Sequence, residues 1–483
     1  MLILMESSFL LLSTLIALLF KEEDWKVFLC TTCVCFILGL SLKFKGQKNK
    51  NVRMSRADSF FIVSLSWIIF SVIGCIPFIH LLHLDVASAF FETMSGFTTT
   101  GATVLSDIDS ISHTLKFWRS VSQWMGGLGI VVFSLALIPV YEIKNSNIYS
   151  AEVTGIGLDK LRPKIASTAR TMFAIYLLLT IVCAILYYLG PMNLFDAICH
   201  SMTTVATGGF STHSASIGYF HSTYIEYICI LFMLLSSINF SLYYYVSIKR
   251  ANMLFKNEET RWFIYIVGFF LLLFFCLFQF SIRNLDYLKS FPSGIEETFR
   301  TSLFHVVTII TSSGFAAQKF DYVLWGAPYW MPTILLMVLG GCAGSTAGGV
   351  KIVRFLICIK SVLNEFKLQI HPRAVLGVKI NGHIIPNERV RKTLGFIFLY
   401  ILLVAIGMTI LNFIGCDTDT AFGGCISMLS NIGPSTGMTG PADNYSIIPS
   451  AGKWLMSSYM LIGRLEIYTV LFLLLPSYWK EKN

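Results

Sequence analysis

Four short segments of this 483-residue chain carry residue types able to replace the water around a cation. They are Thr98-Thr99-Thr100-Gly101-Ala102-Thr103, Ala206-Thr207-Gly208-Gly209-Phe210-Ser211, Thr311-Ser312-Ser313-Gly314-Phe315-Ala316 and Ser430-Asn431-Ile432-Gly433-Pro434-Ser435. Glycine permits backbone conformations that turn successive carbonyls inward, and Ser/Thr hydroxyls add further oxygen ligands or pin the loop. A ring of such oxygens can stand in for an alkali cation's hydration shell. Each segment follows an apolar run too short to cross a bilayer, at 88–97, 194–205, 296–310 and 420–430. Aligning Gly101, Gly208, Gly314 and Gly433 gives separations of 107, 106 and 119 residues, the length of one span, one short run and one returning span. A single such glycine reads equally well as a close contact between packed helices. Four at matching positions favour a repeated loop.

The elements that must hold these loops follow from composition. With 55% hydrophobic and 13% charged residues, the chain has more apolar surface than a soluble globule can hide, so lipid is its solvent. Ten stretches long enough to span begin near Phe9, Val27, Phe60, Trp118, Met172, Tyr224, Phe263, Trp330, Leu394 and Trp454. The four short runs then read as re-entrant half-helices. Irregular backbone at membrane depth survives only where protein buries it or water bathes it, so the four loops must share one cavity. Half-helices that aim their C-terminal, partially negative ends at that cavity favour a cation and exclude anions. The expected fold is an all-α polytopic membrane protein: four span–pore-loop–span repeats around a central pore, plus an N-terminal two-helix hairpin. The hairpin covers 1–44, and the repeats cover 57–145, 165–250, 260–362 and 390–478. A long basic loop at 351–392 accounts for the larger third interval. The apolar start lacks a basic flank and a small-residue cleavage site, which reads as a retained first helix.

Charge sets the orientation. Lys and Arg number six over 43–56, five over 144–170, four over 249–261 and nine over 351–392, and Lys480 and Lys482 lie in the tail; together these are twenty-six of thirty-six. All fall on one side of the ten-span arrangement, and the segment 190–222 on the other side has none. Positive loops stay in the cytoplasm, so both termini are expected there and the half-helices enter from outside. The net charge of +9 thus reflects topology and anionic lipid contact, and gives no support to nucleic-acid binding. Cys30, Cys33 and Cys35 fall inside a span and read as apolar filler. The outward histidines His80, His83, His200, His213, His221 and His305 could suggest a membrane hydrolase, but neither HExxH nor GxSxG occurs.

Two further features bear on control. Residues 339–349 interrupt the second span of the third repeat with five glycines and small polar residues, so a continuous rigid helix there is costly and a movable loop is plausible. A close-packing glycine face is the plainer alternative. No GxxxxGK[ST] arrangement makes it a nucleotide loop. Arg464 lies inside an otherwise apolar last span, where it needs a cavity or a partner. Glu466 is a poor partner, because residues two apart do not face each other on a helix. Glu92 and Asp196 on the half-helices read as anchors ahead of cation attractors.

Taken together, these segments resemble the Trk/Ktr/HKT potassium transporters, and among them the bacterial TrkH/TrkG type. The likeness runs along nearly the whole chain. It includes Trp118-Arg119-Ser120, Gln123-Trp124-Met125-Gly126-Gly127, the run Leu339 to Gly349 and Gly463-Arg464-Leu465-Glu466. The resemblance implies that Thr99, Thr100, Gly101, Ala206, Thr207, Gly208, Ser312, Ser313, Gly314, Asn431, Ile432 and Gly433 bind potassium in a selectivity filter. It implies a gate formed by Gly340, Gly341, Gly344, Ser345, Thr346, Gly348, Gly349 and Arg464. Glycine at all four filter positions goes with potassium preference in such proteins. The resemblance further implies a homodimer in the bacterial inner membrane, docked to TrkA-type cytoplasmic subunits that bind NAD and ATP, with potassium as cargo and no organic cofactor. A carrier coupled to sodium or protons stays open, although four repeats running in one direction fit a pore better than the inverted repeats of many carriers.

Overall fold

The computed structural model describes residues 2–47, 56–129, 165–247, 252–281, 294–317 and 327–476. The end of the first repeat (130–145), the last residues of the second (248–250), two stretches inside the third (282–293 and 318–326), the end of the fourth (477–478), the basic residues at 48–53, 144–164 and 249–250, and the Lys480 and Lys482 tail lie outside them. Helices dominate the described residues, and the one sheet among them is a two-stranded hairpin pairing Lys379–Ile380 with His383–Ile384.

Two helices, Leu2–Leu19 and Trp25–Gln47, form the N-terminal hairpin. They lie against the first repeat. Glu22 in the turn between them accepts the backbone N–H groups of His113 (2.8 Å) and Thr114 (3.0 Å) and the Thr114 hydroxyl. A carboxylate therefore satisfies the open N-terminus of the first repeat's returning helix, His113–Gly127, which its own N-cap Ser112 also caps.

Each repeat opens with a long apolar helix: Asp58–Leu82 with a kink, Ile165–Tyr188, Glu258–Ser281 and Asn387–Ile414. A half-helix follows in each, spanning Val86–Phe97, Leu194–Val205, Ile295–Ile310 and Thr418–Ser430, within two residues of the expected runs. Asp85, Asn193 and Asp417 cap three of them by accepting the N–H three residues on.

The returning spans depart from expectation. Only the third had a visible interruption in sequence, yet Thr223–Ser236 turns by 95° into Phe240–Val246, and Ser450–Arg464 turns by 117° into Ile467–Leu474. Glu466 at the second bend has φ of 66°, a backbone state rare for a side chain of its type. In the third repeat Ala327–Val338 stops at the glycine run and Ile352–Ile370 resumes after it. Among the described residues six helices are long and apolar enough to cross a membrane, eight if each bent pair counts as one. The stretches beginning near Trp118 and Trp330 supply described helices of 15 and 12 residues.

Packing closes the four units into a ring. The half-helices of repeats 2, 3 and 4 each lie against the returning span of the repeat before them, and Val86–Phe97 of repeat 1 lies against Ser450–Arg464 of repeat 4. Large apolar side chains such as Leu15, Leu18, Ile37, Phe269, Leu272 and Phe398 are left exposed on the outer surface, as a lipid-facing belt requires.

Candidate functional site

The four loops share one backbone conformation. Thr99, Thr207, Ser312 and Asn431 all take left-handed geometry, with φ of 54°, 53°, 53° and 53°. Such values are strained for Thr and Ser and mark a site held in place by its surroundings. The next residue in each loop turns its N–H back onto the half-helix: Thr100 to Ser95 O, Gly208 to Thr203 O, Ser313 to Thr308 O and Ile432 to Ser427 O, at 2.9 to 3.0 Å. Two residues past the strained position comes a glycine at positive φ: Gly101, Gly209, Gly314 and Gly433. With the N–H groups tucked back, the carbonyls are free to face inward.

This pattern corrects one register. The sequence alignment set Gly208 opposite Gly101, whereas the backbone sets Gly209 there. The glycine pair at 208–209 hid the difference. A hydroxyl residue five positions before the tucked N–H, at Ser95, Thr203, Thr308 and Ser427, is the signal that would have fixed it.

The loops meet in a closed ring. A Cβ added to Gly101 would lie 2.1 Å from Gly208 O; at Gly209 it would lie 2.0 Å from Ser313 O; at Gly314, 1.9 Å from Ile432 O; and at Gly433, 2.6 Å from Thr100 O. Each repeat thus presents its glycine to the carbonyl of the next, and the fourth returns to the first. Only glycine allows backbone to approach backbone this closely.

Side chains brace the ring from behind. Gln123 donates to Gly208 O (2.6 Å) and accepts from Phe210 N–H (3.0 Å), which ties the returning span of repeat 1 to the loop of repeat 2. Arg119, almost fully buried, donates through Nε to Glu92 (2.9 Å) and through Nη1 to Ser211 O (3.0 Å), with its guanidinium 4.1 Å from the centre of the Phe210 ring. Glu92 also accepts from Thr103 Oγ1 and Val104 N–H, so it anchors the chain leaving the first loop. Asp196 does the same in repeat 2 by accepting the Thr212 hydroxyl at 2.6 Å. Sequence reading carried Gln123 and Arg119 only as parts of family motifs. Their reach into the neighbouring repeat has no signature along the chain.

On one side of the ring opens a vestibule of about 720 Å³, lined by the four glycines, Arg119 and His213 among others. His213 sits between Asp109 (2.7 Å) and Asp196 (3.3 Å) and stacks on Tyr219. Burial pulls its imidazole pKa down, but hydrogen bonds to the two carboxylates outweigh that and the net shift is upward. Buried His200 bonds Asp196 O and Ser211 Oγ, and buried His305 bonds Thr333. Among the described residues no group of three His, Cys, Asp or Glu side chains could hold a metal ion.

On the other side lies a second cavity of about 910 Å³, bounded by Gly344 to Gly349, Asn431 and Arg464. The 339–350 loop is seated there. Gly340 N–H donates to Val350 O, Cys342 N–H to Ser237 O, and the Thr346 hydroxyl to Val205 O and Ser236 O. Arg464 donates to Thr346 O (3.0 Å) and to the carbonyls of Gly126 and Gly127, which joins the loop to repeats 1 and 4. Lys351 donates to Ala347 O, the next carbonyl along. Glu466 pairs with Arg354 (2.5 Å). The predicted loop residues therefore do lie together, facing the predicted arginine, on the opposite side of the ring from the vestibule.

Comparison with known proteins gives one answer throughout. The profile of a family described as "TrkH: Cation transport protein" matches residues 25–481. The chain is 36% identical to the Trk system potassium uptake protein TrkH of Escherichia coli (strain K12), over 100% of this chain and 98% of that protein. It is 37% identical to the protein of the same name from Vibrio parahaemolyticus, over 98% and 96%. The crystal structure of the potassium transporter TrkH from Vibrio parahaemolyticus superposes with a TM-score of 0.87 and 35% identity, covering 99% of this chain and 97% of that one. The chain is thus a multi-pass membrane protein and a transporter, and it belongs to the TrkH family of cation transport proteins.

Proposed function

We propose that this protein takes up potassium through a gated, channel-like pore whose selectivity filter is the ring formed by Thr99 to Gly101, Thr207 to Gly209, Ser312 to Gly314 and Asn431 to Gly433. The observation that carries this reading is the closed succession of glycine against carbonyl around four loops. A ring to which every repeat contributes a backbone oxygen supports the filter reading, because such a ring can substitute for a potassium hydration shell. Four half-helix C-termini aimed at that ring add negative potential. The relatives named as potassium uptake proteins support the choice of cation.

The 339–350 loop is the gate in this reading, with Arg464 as its clamp. A seated loop beneath the ring blocks the path, and a fixed guanidinium beside it repels cations. The basic side faces the cytoplasm of a bacterial inner membrane, with both termini on that side. There the chain works as a homodimer and docks TrkA-type subunits binding NAD and ATP, which move the loop. Passive flow is favoured over coupling to sodium or protons, because the four units run in one direction around an axis normal to the membrane.

The test is cation flux into sealed proteoliposomes containing the purified protein alone, with potassium, rubidium, sodium and lithium compared under their own gradients. Downhill potassium and rubidium flux exceeding that of sodium and lithium is the expected result. Flux that demands a second ion gradient overturns the pore in favour of a carrier.

A further inference from the structure

The hydroxyl of Ser312 stands where the ring and the 339–350 loop meet. It donates its hydrogen to Thr311 O at 2.7 Å and accepts the backbone N–H of Gly348. Thr207, at the aligned position of repeat 2, likewise donates to the carbonyl before it, Ala206 O, at 2.7 Å. In repeat 4 the aligned Asn431 turns its Nδ2 to Thr100 Oγ1 and Met460 O. The loop also rests on the ends of two half-helices. Thr346 bonds Val205 O, and a Cβ on Gly348 would lie 2.1 Å from Ser430 O. In repeat 3, by contrast, the contact is a hydrogen bond to the strained filter residue itself.

We propose that Ser312 couples the gate to the filter. A hydroxyl has one hydrogen and two acceptor lone pairs. With the loop seated, Thr311 O takes the hydrogen and Gly348 N–H takes one lone pair, at the inner end of the ring. When the loop leaves, that lone pair is released to the ion path, and repeat 3 offers there an acceptor position that the loop held in the closed state. Opening therefore unblocks the pore and completes its inner set of oxygens in one movement. The bond also holds the loop down. The coupling rests on the reading of this loop as a gate.

The test uses full-length protein in proteoliposomes, with folding checked by monodispersity on gel filtration. Basal rubidium efflux and the rubidium-to-sodium ratio are measured for Ser312→Ala and Ser312→Thr, each in the native chain and in an Arg464→Ala background. Losing one neutral hydrogen bond to the loop should raise basal efflux by about 2- to 10-fold. Ser312→Thr, which keeps the hydroxyl, should bring it back down. Ser312→Ala should also lower the rubidium-to-sodium ratio, because the inner oxygen is gone; in the Arg464→Ala background the loop is already loose, so the efflux increment from Ser312→Ala should largely vanish while that lowered ratio persists. The same fold increase in both backgrounds, or Ser312→Thr behaving as Ser312→Ala, overturns the coupling and leaves the gate reading standing. If neither Arg464→Ala nor removal of 341–347 raises efflux in folded protein, the gate reading falls and the coupling with it. Should Ser312→Ala fail to fold, Ser312→Cys replaces it, because a thiol is a weak acceptor and predicts the same rise.

Discussion

Replacing Gly101 by serine should cost potassium preference without preventing assembly. A Cβ at this position would lie 2.1 Å from Gly208 O, whereas real Cβ atoms essentially never come within 3.0 Å of such an atom. Since the obstacle is backbone, the Gly208 carbonyl must move by about 1 Å, a displacement set by hard-sphere contact. Holding φ near the native +81° adds a strain of roughly 1–2 kcal/mol for a residue with a side chain. Gln123, bonded to that same carbonyl, resists the shift from behind. One oxygen in four is then misplaced, and a preference lowered by about 1.4 kcal/mol corresponds to a tenfold fall in the potassium-to-sodium ratio. The assay is competitive rubidium and sodium uptake in proteoliposomes, with gel filtration and thermal unfolding as controls for assembly. Gly382→Ala is a useful comparison, since its φ is also +81° but nothing lies within 4 Å of its Cβ; it should carry strain alone and leave selectivity untouched. An unchanged ratio in Gly101→Ser at normal expression would refute the reasoning, because the carbonyl could not then be a ligand at that level.

Arg464→Ala, and separately deletion of 341–347, should raise basal cation flux in folded protein. Equal or lower flux by the same proteoliposome assay argues for a packing role. Arg119→Ala leaves Glu92 buried and uncompensated and should lower unfolding stability by about 3–5 kcal/mol, readable as a large drop in thermal midpoint. His213, whose folded pKa is raised, contributes stability that is complete below its unfolded value of about 6.5 and is lost as pH climbs through the folded value. The charges facing it are Asp109 and Asp196, with the titratable His200 nearby. The thermal midpoint should thus decline as pH rises above about 6.5, and His213→Gln should flatten that profile.

Much of the architecture was legible because bilayer thickness separates spans from half-helices by length alone. The half-helix ends at Phe97, Val205, Ile310 and Ser430 follow from where apolar residues give way to Thr, Ser and Gly. Less legible was anything depending on conformation at a single residue. Gly208 and Gly209 are chemically identical, and only φ tells which one faces its neighbour's carbonyl. The bend after Ser236 is marked by no more than Ser237-Ile238-Asn239 in an apolar run, and the turn at Glu466 by no glycine at the bend itself. Gln123 and Glu22 act on partners in other units, and a contact across 85 or 91 positions leaves no periodic trace.

The ring also has a genetic consequence, because all four quadrants come from one polypeptide. In a pore assembled from four identical subunits, any substitution appears at every corner at once. Here a codon change alters a single quadrant, as the side chain of Asn431 does where the other three carry hydroxyls. Substitutions at aligned positions can accordingly be stacked one by one, giving a graded series in which the same defect is present once, twice, three or four times. The quadrants are free to diverge in sequence while the backbone geometry of the ring stays the same.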